Sequence, residues 1–307
     1  MGKTVIFHNK QGLSLKPQKK INQHNLPFTL NPCIGCLFGC SYCYVESSSF
    51  RHTVFGKEVV VKTWLPSRLD KELKQYSKLP QHLKRVQINS NCESYLPQVM
   101  AKTKQAFGKD IMRQVLEIFQ RHWDRGNHWM VHLFTKSHLV VEHLDILKEM
   151  RHQVQVEVTI PTLNEGSREL MEGSAPSVKR RLKAVEQLSR AGVFVRIMAM
   201  PLFRTEEAKE IRRAGFEHGA RGFKNKGLHY WEADTIVDVD PIRTKGPEFY
   251  VNWDLCVNSG EPVLEQGPKT VKASMPTSKW LEFKEKDMVM ENAGYSELND
   301  IDWGYIV

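Results

Sequence analysis

No acidic side chain occurs before Glu46, although Lys3, Lys10, Lys16, Lys19 and Lys20 are spread along the same stretch. A segment of one sign has no internal ion pairs. It is either a solvated tail or an arm that lies along an anionic partner such as a phosphate backbone, where each lysine releases a counterion. Long apolar runs are also missing. The longest in these 307 residues, such as Val193-Phe194-Val195 and Ile197-Met198-Ala199-Met200, fall far short of the roughly 20 residues that cross a bilayer. Val5-Ile6-Phe7 is too brief for the apolar stretch of a secretory signal, so a cytoplasmic location is expected. There is no internal repeat and no low-complexity block, and an apolar content of 41% excludes disorder for most of the chain.

The formal charge of +9 conceals two unlike parts. Residues 1–230 carry 37 basic and 20 acidic side chains, a balance of +17, whereas residues 231–307 carry 7 and 15, a balance of −8. The first part alternates short apolar runs with longer amphipathic ones, the pattern of repeated βα units around a parallel sheet. Strands are expected at 27–31, 85–90, 129–135, 154–161, 193–200 and 220–225. Helices are expected at 67–77, 109–125, 140–150, 177–191 and 205–218. The fourth helix has clear bounds, with Pro176-Ser177 before it, Arg181, Leu182, Val185 and Leu188 at helical spacing, and Gly192 after it. Three regions result: a basic arm over 1–25, the βα region over 26–230, and an acidic appended region over 231–307. Phe249, Tyr250, Trp253, Trp280, Phe283, Tyr295, Trp303 and Tyr305 give that last region enough aromatic surface to fold onto the main body.

Cysteine is scarce, yet four of the six fall within eleven residues: Cys33, Cys36, Cys40 and Cys43. Clustering of this kind in a chain without a secretory signal points to metal rather than disulfides. Two metal readings are open. Four thiolates can hold a structural zinc, usually as two separated pairs. Alternatively Cys36, Cys40 and Cys43, spaced CxxxCxxC on one loop, bind three irons of a 4Fe-4S cubane and leave the fourth iron open.

The CxxxCxxC loop with an aromatic before its last cysteine, following the first strand of a six-fold βα pattern, resembles the radical S-adenosylmethionine superfamily. Asn31-Pro32, Gly35-Cys36, Gly39-Cys40-Ser41-Tyr42-Cys43-Tyr44, Phe134-Thr135-Lys136-Ser137, Ala175-Pro176-Ser177, Arg181-Leu182 and Ala191-Gly192 are similar to its DNA-photolyase-like branch, which includes spore photoproduct lyase. The resemblance implies an α/β fold, a partial (β/α)6 TIM-type barrel with a small C-terminal appended region. It also implies a 4Fe-4S cluster on Cys36, Cys40 and Cys43, S-adenosylmethionine on the open iron, a 5′-deoxyadenosyl radical, and an external one-electron donor of flavodoxin or ferredoxin type. Cys33 is then spare, either structural or a redox accessory.

By the same resemblance, Cys92 would return a hydrogen atom to a product radical, with Tyr42 and Tyr44 relaying the radical onward. The plain alternatives are that Cys92 is a buried small hydrophobe and that Tyr42 packs against adenine. Ser90, Asn91, Lys136 and Thr159 lie at strand ends, where a cofactor is expected. His229 and the basic, aromatic run from Arg221 to Trp231 are weaker candidates for a strand-binding surface. Lys179, Arg180, Arg181 and Lys183 read as the solvated face of a helix. The expected activity is radical chemistry on a nucleic acid, as lesion repair of a lyase-like kind or as base modification. The loop Cys92-Glu-Ser-Tyr95 departs from the lyase-like pattern, and nothing after Trp231 matches a lyase substrate element. A peptide, an RNA base or a small metabolite is the alternative substrate, and a zinc module that binds nucleic acid is the rival of another class.

Overall fold

Val154, Val156 and Val158 alternate with Gln155, Glu157 and Thr159, yet all six side chains are buried. A strand of this kind must be covered on both faces, one apolar and one polar. The computed structural model describes residues 2–17, 27–43, 45, 53–79, 83–202 and 207–225, and shows how this is achieved. Six parallel strands stand side by side in chain order: β3 (Phe28–Leu30), β6 (Arg85–Ile88), β7 (Met130–Thr135), β8 (Val154–Thr159), β9 (Phe194–Ala199) and β10 (Gly222–Asn225). The short β2 (Lys16–Pro17) adds an antiparallel edge to β3. A second sheet pairs β1 (Thr4–His8) in parallel with β5 (Glu58–Lys62), and β5 in turn pairs antiparallel with β4 (Cys33–Ile34).

The six strands and five helices read from the sequence are all present, most with shifted ends. The helices are α1 (Leu65–Gln75), α3 (Ile111–Trp123), α4 (Leu144–Glu149), α6 (Val178–Arg190) and α7 (Ala208–Glu217). Val140 and Val141, expected in the third helix, lie instead in a 3-10 segment (His138–His143) that leads into α4. β1, β2, β4, β5, α2 (Pro97–Phe107) and α5 (Glu165–Glu172) are not among the elements expected from the sequence. Residues 4–8, expected within a basic arm, are thus a strand: Val5, Ile6 and Phe7 suit a pleated surface, and β5 offers Val59, Val60 and Val61 opposite them. Residues 18–26, the acidic region 231–307, His229 and Tyr44 lie outside the described residues.

The helices cover the outer face of the large sheet. Val86, Ile88, Val131, Leu133, Val156, Val158, Val195 and Ile197 join one apolar core with Leu69, Val115, Phe119, Val185 and Leu188 from the helices. The buried Met130, Phe134, Phe194 and Met198 stand apart from that core, on the opposite, inner face. The register makes Gln87, His132, Gln155, Glu157, Arg196 and Lys224 share this inner face. No helix among the described residues is long and apolar enough to cross a membrane.

One buried cap joins two layers of the fold. Asp110 Oδ1 accepts from the backbone N–H groups of Met112 and Arg113, both at 3.0 Å, at the start of α3. Its other oxygen meets His143 Nε2 at 2.8 Å, and His143 Nδ1 lies 3.3 Å from the Tyr95 hydroxyl. Burial alone would raise the Asp110 pKa, but the His143 bond and the two N–H groups hold it below the ordinary carboxylate value. Asp110→Ala is expected to cost about 1 to 2 kcal/mol in urea denaturation. Because the folded pKa is depressed, Asp110's contribution is complete above the unfolded carboxylate pKa near about 3.9 and is lost as the pH falls through the lower folded value. The Ala variant should therefore lose less stability than the wild type on acidification; parallel acid profiles would contradict this.

Candidate active site

The cysteine loop leaves β4 at Gly35, whose φ of 82° is left-handed and whose Cβ, if it had one, would stand 2.9 Å from the Glu58 carbonyl oxygen. Bonds from 130 residues away fasten the loop. Ser41 N–H donates to the Met171 carbonyl at 2.9 Å, Ser174 N–H to the Phe38 carbonyl at 2.9 Å, and Ser174 Oγ to the Leu37 carbonyl at 3.0 Å. Gly173 between them has φ 54°, and any Cβ there would collide with the Phe38 carbonyl oxygen. The C-terminal end of α5, which the sequence reading passed over, is therefore the clamp of the loop.

Burial pushes the Cys36 thiol well above its ordinary pKa and the Cys40 thiol up to about 12. Phe38 N–H donates to Cys36 Sγ at 3.4 Å and Cys40 Sγ faces the Glu172 carbonyl at 3.8 Å. Among the described residues, no three Cys, His, Asp or Glu side chains converge where one ion would bind. A cubane distributes its three protein ligands over three separate irons, and thiols spaced along one buried loop fit that requirement.

Beside the loop lies a carboxylate that was not singled out. Glu172 is fully buried; one oxygen accepts the Tyr42 hydroxyl and faces Lys136 Nζ at 3.2 Å, and the other pairs with Arg181. Burial opposes the Glu172 charge, but Lys136 and Arg181 overcome it and keep its pKa below the usual carboxylate value. Arg181 also donates to the Thr159 carbonyl at 3.0 Å and to the Pro176 carbonyl at 2.9 Å. It is thus an interior strut, not part of a solvated face. The Lys136 ammonium stands 5.0 Å from the centroid of the Tyr42 ring. Tyr42, Lys136 and Thr159, picked separately from the sequence, meet through Glu172 and Arg181.

Ser90, Asn91 and Cys92 gather around Asn31. Its side-chain oxygen accepts from Asn91 N–H at 3.1 Å and stands 3.3 Å from Ser90 Oγ and 3.6 Å from Cys92 Sγ. Cys92 also pairs with Gly35 in a parallel bridge, one residue from Cys36. Ser94 Oγ lies 3.9 Å from Cys92 Sγ and 3.7 Å from Cys33 Sγ. Burial raises the Cys92 pKa to about 11, so the sulfur keeps its proton at neutral pH. Glu93 joins the two groups, accepting from Thr135 Oγ1 and Lys136 N–H, both at 2.9 Å.

The inner sheet face supplies further polar groups that sequence reasoning missed. Glu157 pairs with Lys224, accepts from Gln155 Nε2 at 2.8 Å and stands 3.9 Å from Arg196. Burial, with Arg85, Arg196 and Lys224 nearby, holds His132 well below the ordinary histidine pKa. The alternation Val-Gln-Val-Glu-Val-Thr in β8 was the available signal. Replacing Glu172 by Gln would leave Arg181 buried with no opposite charge, so Glu172→Gln is expected to cost about 3 to 5 kcal/mol in chemical denaturation. A loss under about 1 kcal/mol would show that the carboxylate does not hold this end of the barrel.

A family model described as the Radical SAM superfamily matches residues 30–214. An uncharacterized protein of Acidianus two-tailed virus is 28% identical over 190 residues, covering 60% of this chain and 58% of that protein. An uncharacterized protein of Methanocaldococcus jannaschii is 24% identical over 189 residues, covering 59% and 63%. The chain therefore spans about three fifths of the length of these relatives. Among solved structures, a spore photoproduct lyase variant superposes with a TM-score of 0.56 at 13% identity, covering 72% of this chain and 60% of that one. Spore photoproduct lyase complexed with dinucleoside spore photoproduct superposes with a TM-score of 0.50 at 15% identity, covering 69% and 55%. At such identities these two likenesses speak for the fold alone. The family match takes in the whole cysteine loop and the strands from β6 to β9, more than half of the chain, and on that ground the protein belongs to the radical SAM superfamily, whose enzymes use a 4Fe-4S cluster and S-adenosylmethionine.

Proposed function

We propose that this protein is a radical S-adenosylmethionine enzyme acting on a nucleic acid, with lesion repair or base modification as its reaction. The observation that carries the proposal is the position of the Cys92 thiol, held by Asn31 and bridged to Gly35 beside the cysteine loop. Cys36, Cys40 and Cys43 would hold the cluster, and Lys136, Ser90, Asn91 and Thr159 lie where the bound cofactor is expected. When bound, cluster and cofactor supply a 5′-deoxyadenosyl radical that takes a hydrogen atom from the substrate. A thiol suits the return step because its S–H bond is weak and, at a pKa of about 11, it carries its hydrogen at neutral pH. Tyr42 is suited to relay the radical: a phenol must lose its proton when oxidised, and the ionised Glu172 already accepts that bond. Tyr44 is its proposed partner in the relay.

The +17 balance of residues 1–230 favours a phosphate-bearing substrate. If a base in a duplex is the target, it must be extruded, at a cost of a few kcal/mol that damage reduces. The second reading is a peptide or small metabolite as the substrate. The two separate by salt: binding to a nucleic acid should weaken steeply from low to physiological salt, and a flat dependence would favour the second.

After anaerobic reconstitution, reduced wild-type protein should cleave S-adenosylmethionine to 5′-deoxyadenosine, and Cys40→Ala should not. Cys92→Ala should retain that cleavage yet change the products and stop deuterium passing from solvent into them. Unaltered products and deuterium content in Cys92→Ala would remove the donor role.

A further inference from the structure

A recess of about 390 Å³ lies against the cysteine loop and is not used by the chemistry above. One wall is Leu37-Phe38, the pair between Cys36 and Cys40, and the Phe38 N–H bonds Cys36 Sγ at 3.4 Å. The other walls bring together Lys3, His138, Arg168 and Arg180, and among the described residues no carboxylate lines the recess. Arg168 is matched by Glu165 and Glu169 behind it. Among the described residues, Lys3 bonds the Ser174 hydroxyl and no carboxylate pairs with Lys3 or Arg180. His138, its pKa lowered by burial and by Arg180, has a buried Nδ1 without a partner. The 11-residue α2 opens at this recess through Leu96, Pro97 and Gln98, with no side-chain cap and no acidic residue in its first turn. Two exposed cations, an open helix start and a spare imidazole nitrogen therefore meet at the outer wall of the loop.

We infer that this recess is where an acidic one-electron donor protein docks. The inference rests on the radical reading, in which a reductant from outside must deliver a single electron: the donor loses it and the cluster held by the cysteine loop gains it. Charge complementarity selects a carboxylate-bearing protein surface. The short path from Phe38 to Cys36 explains why it would dock here and not elsewhere on a positive molecule.

The experiment compares wild type with Lys3→Glu/Arg180→Glu, both reconstituted anaerobically, in cleavage of S-adenosylmethionine. The reductant is either dithionite or acidic flavodoxins and ferredoxins kept reduced. With dithionite, which needs no docking, the two proteins should be equal. With the protein donors, the variant's KM for donor should rise about tenfold at low salt, and the wild-type rate should fall as salt is added. Equal donor KM in both proteins overturns the inference, as does failure of every protein donor where dithionite succeeds. So does a variant altered only in nucleic-acid affinity, which would make the recess a phosphate site, or only in melting temperature, which would make it a seat for another part of this chain. No cleavage with dithionite in the wild type would instead overturn the radical reading itself.

Discussion

A single buried carboxylate organises the cysteine-loop end of this barrel. Glu172 accepts from Tyr42 on the cysteine loop, faces Lys136 at the end of β7 and pairs with Arg181 on α6, so three elements distant in sequence share one anion. Such a group would be costly alone in an apolar interior, and the two cations keep it ionised. The arrangement is also directional: because Glu172 ends α5 and leads directly into Gly173 and Ser174, the same turn that carries the charge carries the backbone bonds to Phe38 and Ser41.

The barrel could be read from the sequence because its strands are apolar runs bounded by turn residues and its helices are amphipathic. The Asp110 and Ser177 caps show how local that information is. The cysteine loop is legible for the same reason, since its closely spaced thiols lie on one contiguous segment. What was missed is non-local. Arg181 sits among Lys179, Arg180 and Lys183, and only its position on the inward side of α6, opposite Thr159 and Glu172, distinguishes it from its solvated neighbours. α2 had its signals, Pro97 at the start and a left-handed Gly108 at the end, and they were passed over. The polar alternation in β8 was also visible, but alternation ordinarily means one wet face, and here the polar face is enclosed.

The two faces of the large sheet divide the labour. The outer one is uniformly apolar and joins the helices in a single core, so stability resides there. The inner one buries Met130, Phe134, Phe194 and Met198 but sets Glu157, Arg196, Lys224, His132 and two glutamines among them, so it supplies donors and acceptors as well. Positive charge in residues 1–230 is therefore of two kinds. Arg181, Arg196 and Lys224 are internal and set local geometry, while Lys3 and Arg180 are exposed and available to partners.

The clamp on the cysteine loop also orders events during synthesis. Tyr42 and Glu172 are 130 residues apart in the chain. The cysteine loop emerges from the ribosome early, but the turn that fastens it emerges only after four of the six barrel strands have been made. Until then neither Ser41 nor Phe38 is anchored, and the loop that carries Cys36, Cys40 and Cys43 stays open. The residues that fasten the loop, Met171 to Ser174, are made before β9 and β10, so the anchors of the cysteine loop become available while the sheet still lacks its last two strands.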